Sequence, residues 1–97
     1  MDVQFGSFVW DADKERVNIN KHGVDFQTAA MVFEDPKRIV IRDIVHSVNE
    51  ERFFCIGRLE GKILMVRFSY QGDWIRIIGA ASWRKWRKYY EKENDTG

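Results

Sequence analysis

The sequence has one cysteine, one proline and no long apolar run. Cys55 cannot form an internal disulfide, and its position inside an apolar stretch favours a buried thiol in a reducing compartment. A transmembrane helix needs about 20 consecutive apolar residues, which no segment offers, and residues 1–5 do not resemble a secretion signal. We therefore expect a cytoplasmic protein with no membrane association and no cysteine-based metal site.

An excess of charge of one sign is also missing. The chain has 16 basic and 15 acidic residues, for a net charge of +1, so the total charge does not indicate a nucleic-acid or membrane partner. The distribution is uneven, because acidic residues crowd the first half and basic residues the second. The basic residues of the second half include Arg52, Arg58, Arg67, Arg76, Arg84, Lys85, Arg87 and Lys88.

Helical signals occupy the first third of the chain. A chain of 97 residues fits one domain, 1–97. Asp11 is a credible N-cap for a helix that Gly23 ends, and Asp25 caps a second helix that Pro36 ends. The second helix has a buried apolar stripe at helical spacing, formed by Phe26, Ala29, Ala30 and Phe33.

Strand signals surround and follow these helices. The spacing of apolar residues predicts strands over residues 5–10, 38–42, 51–59, 62–70 and 73–81. Ser82 is a candidate cap for a final helix that reaches about residue 94, and a frayed tail follows at 95–97. The fold prediction is α+β, with two N-terminal helices and one C-terminal helix packed on a small, mostly antiparallel β-sheet.

Tight turns at residues 60–61 and 71–72 predict the register of the last three strands. In that register Phe54 faces Arg67, and Arg67 faces Arg76. One face of the sheet is then entirely apolar, and the helices must cover it. The opposite face combines cationic and aromatic side chains, including Arg52, Arg67, Arg76, Phe54 and Trp74.

This second face, which we call the arginine face, predicts an anionic partner. Like charges directly opposite each other destabilise a sheet by up to about 1 kcal/mol, so a phosphate or a carboxylate is needed between them. Arginine binds phosphate bidentately, and aromatic side chains stack on unpaired bases, so RNA is one such partner. The alternative is that acids such as Glu50, Glu51 or Glu91 pair these arginines in an ordinary solvated surface.

Several motifs occur in an order that resembles one family, the BrnT toxins of bacterial toxin–antitoxin pairs, over residues 8–91. They are Val9-Trp10-Asp11, Asn20 to Phe26, Ala29-Ala30, Phe33 to Pro36, His46-Ser47, Glu50 to Phe53, Ile56-Gly57-Arg58 and Ile75 to Ile78. The resemblance implies a RelE-like ribonuclease fold and metal-independent cleavage of RNA, free or ribosome-associated, that arrests translation. It also implies neutralisation by a ribbon-helix-helix antitoxin, through which alone the pair would contact operator DNA.

Two stretches depart from the family pattern. Ser69-Tyr70-Gln71 stands where many members have Thr-Glu-Arg, and Gly79-Ala80-Ala81 stands where many have Ser-Ala-Arg. These departures favour an alternative in which the chain is a non-catalytic partner of an antitoxin in an autorepressor complex. A plain RNA-binding module is a third reading.

Metal-independent cleavage needs a base, an acid and a cation for the phosphorane charge. Histidine side chains titrate near neutral pH, so His46 is a candidate base or acid, and Glu51 is a candidate for orienting the nucleophile. The alternative for both is simple solvent exposure. Arg52, Arg67 and Arg76 are the candidates for phosphate contact and charge stabilisation.

A further set of residues is predicted to bind RNA without taking part in the chemistry. It comprises Lys21, Phe54, Trp74, Arg84, Lys85, Arg87 and Lys88. Lys21 has a structural alternative, because a cation at a helix C-terminus is stabilising in itself. Trp83, Trp86 and Tyr90 follow near-helical spacing, which favours packing on the sheet over base stacking.

Overall fold

The computed structural model describes residues 1–95, which form six β-strands and three α-helices. In chain order the elements are β1 (Asp2–Phe5), β2 (Phe8–Asp11), α1 (Ala12–His22), α2 (Phe26–Met31), a 3-10 turn (Val32–Glu34), β3 (Ile39–Arg42), β4 (Phe53–Leu59), β5 (Lys62–Gln71), β6 (Trp74–Ala81) and α3 (Arg84–Asn94). The predicted α+β class and the placement of the helices are confirmed. Two residues of the predicted tail, 96 and 97, lie outside the described residues.

The predicted starts of α1 and α2 and the predicted end of α1 are confirmed, whereas α2 ends at Met31 and a 3-10 turn follows it before Pro36. An Asp11 carboxylate oxygen accepts the backbone N–H of Lys14 at 3.0 Å, and Asp25 does the same for Thr28 at 2.7 Å. Gly23 ends α1 in the left-handed conformation, at φ 69°. The α3 prediction is wrong in one detail, because Trp83 is the N-cap residue and no side chain caps that helix.

The N-terminal strand prediction is also wrong in part. Residues 5–10 are not one strand, because Gly6 adopts a positive φ of 59° and turns the chain between β1 and β2. β1 therefore forms an outer strand that the sequence analysis did not predict. The strand order is β1-β2-β6-β5-β4-β3, and β2 runs parallel to β6 while the other neighbours are antiparallel, so the sheet is mixed.

The register of the meander matches the prediction in one hairpin and differs in the other. Phe54 lies opposite Arg67, as predicted. Arg76, however, lies opposite Ser69, because the two-residue turn lies at residues 72–73 and not at 71–72 as predicted. Arg67 lies opposite Gly79, because a bulge shifts the register again between Arg67 and Phe68. The predicted direct pairing of Arg67 with Arg76 is therefore wrong, although both residues remain on the arginine face.

Two hydrophobic clusters cover opposite faces of the sheet. The larger cluster joins α2 and the 3-10 turn to the apolar face of the meander, around the fully buried Phe26, Val66 and Phe68. A smaller cluster lies on the arginine face, where Trp86 and Tyr90 of α3 pack over Phe54, Ile56, Ile63 and Met65. The arginine face is therefore partly covered by α3, and its open part lies around Arg67 and Arg76.

The edge of β6 forms hydrogen bonds with a strand at one end and with the side chain of Asn18 at the other. β2 pairs with β6 only at Ile75 and Arg76. Farther along, the buried Asn18 of α1 accepts the Ala80 N–H at 3.1 Å and donates to the Ala80 carbonyl at 2.9 Å. This exchange satisfies the backbone groups of Ala80 and holds α1 beside the arginine face.

No helix within residues 1–95 has the length and apolar character needed to cross a membrane.

Candidate active site

The loop between β3 and β4 closes around a buried carboxylate, Asp43. The Asp43 backbone N–H donates to the Arg52 carbonyl at 2.7 Å, so the two strands continue to pair briefly beyond their ends. The Ser47 hydroxyl donates to the Asp43 carbonyl at 2.6 Å and accepts the Arg52 N–H at 2.9 Å. These bonds hold the side chain of Asp43, which is 4% exposed, on the arginine face.

His46 lies directly against this carboxylate. Its Nδ1 atom is 2.8 Å from Oδ2 of Asp43, and its backbone N–H donates to Oδ1 at 3.4 Å. A carboxylate can only accept, so Nδ1 carries the proton in this contact and Nε2 is left to exchange protons with a ligand. The pair thus has the geometry of an oriented acid–base group.

Arg67 approaches the same carboxylate from β5. Its Nε lies 3.4 Å from Oδ2 of Asp43, and its guanidinium carbon lies 5.4 Å from the centre of the Phe54 ring. Phe54 in turn contacts Trp86 of α3 at a ring separation of 5.3 Å. Phe54 is therefore a half-buried support for the guanidinium rather than an open platform for a base.

Several polar atoms on this face are buried and make no hydrogen bond within residues 1–95. They are Nε of Arg52, Nε of Arg67, Oγ of Ser69 and Nε1 of Trp86. The two arginine nitrogens lie within ion-pair distance of carboxylates, at 3.6 Å from Glu50 and 3.4 Å from Asp43, but without hydrogen-bond geometry. Each of these atoms can donate a hydrogen, and buried donors are normally paired. These four donors therefore leave hydrogen-bonding capacity on this face that the described residues do not use.

Arg76 is engaged differently. It makes two hydrogen bonds to the carboxylate of Asp2, at 2.8 Å and 3.3 Å, across β2. These bonds raise the pKa of Arg76 and lower that of Asp2. The negative charge of Glu50, which also pairs with Arg52, acts on Arg76 as well. The predicted acidic pairing of the arginine face is thus present, with Asp2 and Asp43 as partners that the sequence analysis did not name.

Arg67 also lines a groove of about 460 Å³ between α1 and β6. Val17, Met65 and Trp83 supply apolar surface to this groove, Lys14 and Lys21 add positive charge, and Asp13 adds one negative charge. The ring of His22 lies 6.1 Å from that of Trp83. The structure therefore places Lys21 at the same open surface as Arg67.

The remaining predicted residues lie around this centre. Arg84, Lys85, Arg87 and Lys88 are exposed on α3, as predicted, and the ammonium of Lys85 lies 5.0 Å from the Trp86 ring. Trp74 is exposed at the start of β6. Glu51 precedes β4 and lies 3.6 Å from Arg42, at the edge strand and outside the cluster around Asp43.

Sequence reasoning missed Asp43, Ser47 and Ser69. Asp43 precedes His46 by three residues, a spacing at which an aspartate can bond the backbone ahead of it, and this was the available signal. The burial of Asp43 depends on the pairing of the two strands, which no local pattern reveals. Ser69 gave no signal beyond its position two residues from Arg67.

Within residues 1–95, no group of three or more His, Cys, Asp or Glu side chains is arranged to hold a metal ion. The fold and the site define a small α+β protein with an oriented histidine–aspartate pair beside the guanidinium of Arg67. The chain belongs to the family described as the ribonuclease toxin BrnT of type II toxin–antitoxin systems, whose profile matches residues 10–89. A search of curated proteins found no match.

Proposed function

We propose that this chain is a metal-independent endoribonuclease toxin, with a RelE-like fold, that cleaves RNA by attack of a 2′-hydroxyl on the neighbouring phosphorus. The contact of the buried Asp43 with both His46 and Arg67 carries this proposal, because it joins a proton-transfer group to a phosphate-binding cation. Both roles are needed for cleavage without a metal.

In the proposed reaction His46 carries out one of the two proton transfers, and the arginines bind the phosphate. As a base, His46 Nε2 takes the proton of the 2′-hydroxyl as the O2′–P bond forms, and water protonates O5′ as the P–O5′ bond breaks. As an acid, His46 gives its Nε2 proton to O5′, and water takes the 2′-hydroxyl proton. Either way the products are a 2′,3′-cyclic phosphate and a 5′-hydroxyl. Arg67 and Arg52 bind the phosphate oxygens through their guanidinium groups, and Arg76 adds positive charge farther along the same face. Glu51 remains a candidate for orienting the nucleophile, through a rearrangement of its contact with Arg42.

The RNA on either side of the scissile phosphate would follow the basic surface. Lys21 lines the same groove as Arg67, Trp74 lies at the start of β6, and Phe54 acts through its support of Arg67. The exposed cations of α3, which are Arg84, Lys85, Arg87 and Lys88, would contact the RNA backbone. Free RNA and ribosome-associated RNA are both compatible with this path.

The partners follow from the family. The chain, a single domain over 1–97, would act in the cytoplasm and be neutralised by a ribbon-helix-helix antitoxin. Contact with operator DNA would occur only through that antitoxin.

The test is cleavage of defined RNAs by purified protein in EDTA, with and without ribosomes. We expect cyclic-phosphate products, and a loss of about 10²- to 10⁴-fold in rate for His46→Ala and Arg67→Ala. Glu34→Gln, a change of an exposed acid in the 3-10 turn, is the matched control. Absence of cleavage by the wild-type chain in both settings would overturn the proposal.

The second candidate is a non-catalytic antitoxin partner in an autorepressor complex. This candidate is favoured by the carboxylates beside Arg52, Arg67 and Arg76, because an arginine that is paired within the protein binds a phosphate less strongly. Binding of the antitoxin and of operator DNA by a chain that cleaves no RNA would support this candidate.

A further inference from the structure

The outer edge of the sheet at β3 carries an unusual concentration of exposed apolar side chains. Ile44 is 76% exposed, Val45 is 78% exposed and Val48 is 82% exposed, and Val40 on the strand itself is 45% exposed. We call these four residues the apolar edge. Isolated apolar residues are common on surfaces, but a cluster of this kind is typical of a protein–protein contact.

The backbone of β3 is also open. β3 is the last strand in the order β1-β2-β6-β5-β4-β3, and in the described chain it pairs with β4 alone. Its outward N–H and C=O groups are therefore available to another strand. Addition of an extended segment to such an edge supplies backbone hydrogen bonds, while apolar side chains supply specificity.

The charges around the apolar edge indicate an acidic partner. Lys37 and Arg38 precede β3, and Arg42, which lies 3.6 Å from Glu51, ends it; all three cations are exposed. Two copies of this chain paired antiparallel about Val40 would place Arg38 of one copy opposite Arg42 of the other, which is unfavourable. A partner segment that alternates apolar and acidic residues would satisfy both the apolar side chains and these cations.

We infer that the apolar edge is the docking surface for the antitoxin, which adds an acidic, apolar segment beside β3 and covers the loop that carries His46. This inference rests on the proposed function, in which His46 takes part in RNA cleavage. Ile44 and Val45 lie between Asp43 and His46 in the sequence, and Val48 lies two residues beyond His46. A partner bound to these side chains would therefore exclude RNA from His46, and this is how the antitoxin would neutralise the toxin.

The primary test uses the triple substitution Ile44→Ser, Val45→Ser and Val48→Ser in the full chain. The probe is the purified antitoxin encoded by the adjoining gene, and the readout is the Kd from titration calorimetry. We expect a weakening of about 100-fold or more, since apolar anchors dominate such contacts. The matched control, Ile19→Ser with Met31→Ser, changes two exposed apolar residues on other surfaces and should leave the Kd within about threefold.

Two further measurements test the docking surface without using ribonuclease activity as a readout. Amide hydrogen exchange should slow in β3 and residues 43–50 when the antitoxin binds, and Val40→Glu should weaken binding by repelling the acidic segment. An unchanged Kd for the triple variant, or unchanged exchange in β3, would overturn the inference. So would a shift of the antitoxin-free chain from dimer to monomer on triple substitution, because the edge would then bind a second copy.

The inference and the proposed function fail in different ways. A wild-type chain that cleaves no RNA but loses antitoxin binding on triple substitution overturns the nuclease and retains the docking surface. If the wild-type chain cleaves RNA, and the triple variant binds the antitoxin as tightly as the wild type, the docking surface is overturned and the nuclease is retained.

Discussion

His46 and Asp43 lie 2.8 Å apart through Nδ1 and Oδ2, and the carboxylate in this contact is 4% exposed. A buried carboxylate is stable only when its charge is balanced and its oxygens are bonded. Asp43 meets this requirement through His46 and Arg67 together, so the orientation of the histidine and the position of the arginine depend on the same group.

Asp43→Asn tests whether the contact of Asp43 with His46 contributes to RNA cleavage. The amide keeps the size of the side chain but no longer holds the proton on Nδ1, so the rate of RNA cleavage should fall by about 10²–10⁴-fold. Single-turnover cleavage measures the effect, and circular dichroism confirms the fold. A rate equal to wild type would mean that the pair has no part in catalysis.

Arg67→Met tests whether Arg67 stabilises the fold by balancing the buried charge of Asp43. Removal of the guanidinium leaves the buried charge of Asp43 without its cation, and the free energy of unfolding should fall by about 1–3 kcal/mol. The double variant Arg67→Met with Asp43→Asn should recover part of this loss in urea unfolding. Simple additivity of the two single effects would contradict the proposed coupling.

Gly57→Ala tests the close contact between β4 and the 3-10 turn. A Cβ at Gly57 would lie 2.7 Å from Cγ1 of Val32 and 3.0 Å from the Val32 carbonyl oxygen. We expect a destabilisation of about 1–3 kcal/mol from overpacking, measured by urea unfolding. Gly79→Ala is the control, because its Cβ would meet only Oδ1 of Asn18 at 3.5 Å, and an equal loss there would refute the steric explanation.

Tyr90→Phe tests the hydrogen bond of 2.6 Å between the Tyr90 hydroxyl and Asp35. Burial opposes ionisation of Asp35, but the bonds from Tyr90 and from the Arg58 backbone outweigh it and lower the pKa below 3.8. Burial and the Asp35 bond raise the pKa of Tyr90 above 10.0. Asp35 therefore stabilises the fold above about pH 4 and loses that effect as the pH falls, whereas Tyr90 stabilises it below about pH 10 and loses that effect as the pH rises.

The Tyr90→Phe variant lacks this bond, so its free energy of unfolding should be lower at neutral pH. It should also fall less steeply than that of wild type below about pH 4 and above about pH 10. Urea unfolding across the pH range measures both slopes. Tyr89→Phe is the control, and curves that coincide for Tyr90→Phe and wild type would contradict the assignment.

The sequence by itself determined the elements whose signals are local. The caps at Asp11 and Asp25, the end of α1 at Gly23 and the apolar stripe of α2 all depend on residues within one or two turns of each other. The register of β4 with β5 was predictable for the same reason, because a two-residue turn links adjacent strands. The motifs along the chain also sufficed to identify the family.

Tertiary structure decided the rest. Arg76 lies opposite Ser69 because the second turn is displaced by one residue from its predicted position, and the bulge between Arg67 and Phe68 gave no local signal in the sequence. In the sequence Asp43 has no feature that distinguishes it from other loop residues, whereas in the structure the pairing of β3 with β4 buries it beside Arg67. The sequence therefore identified the residues capable of the chemistry, whereas only the folded sheet could bring His46, Asp43 and Arg67 together, because burial and long-range register create that contact.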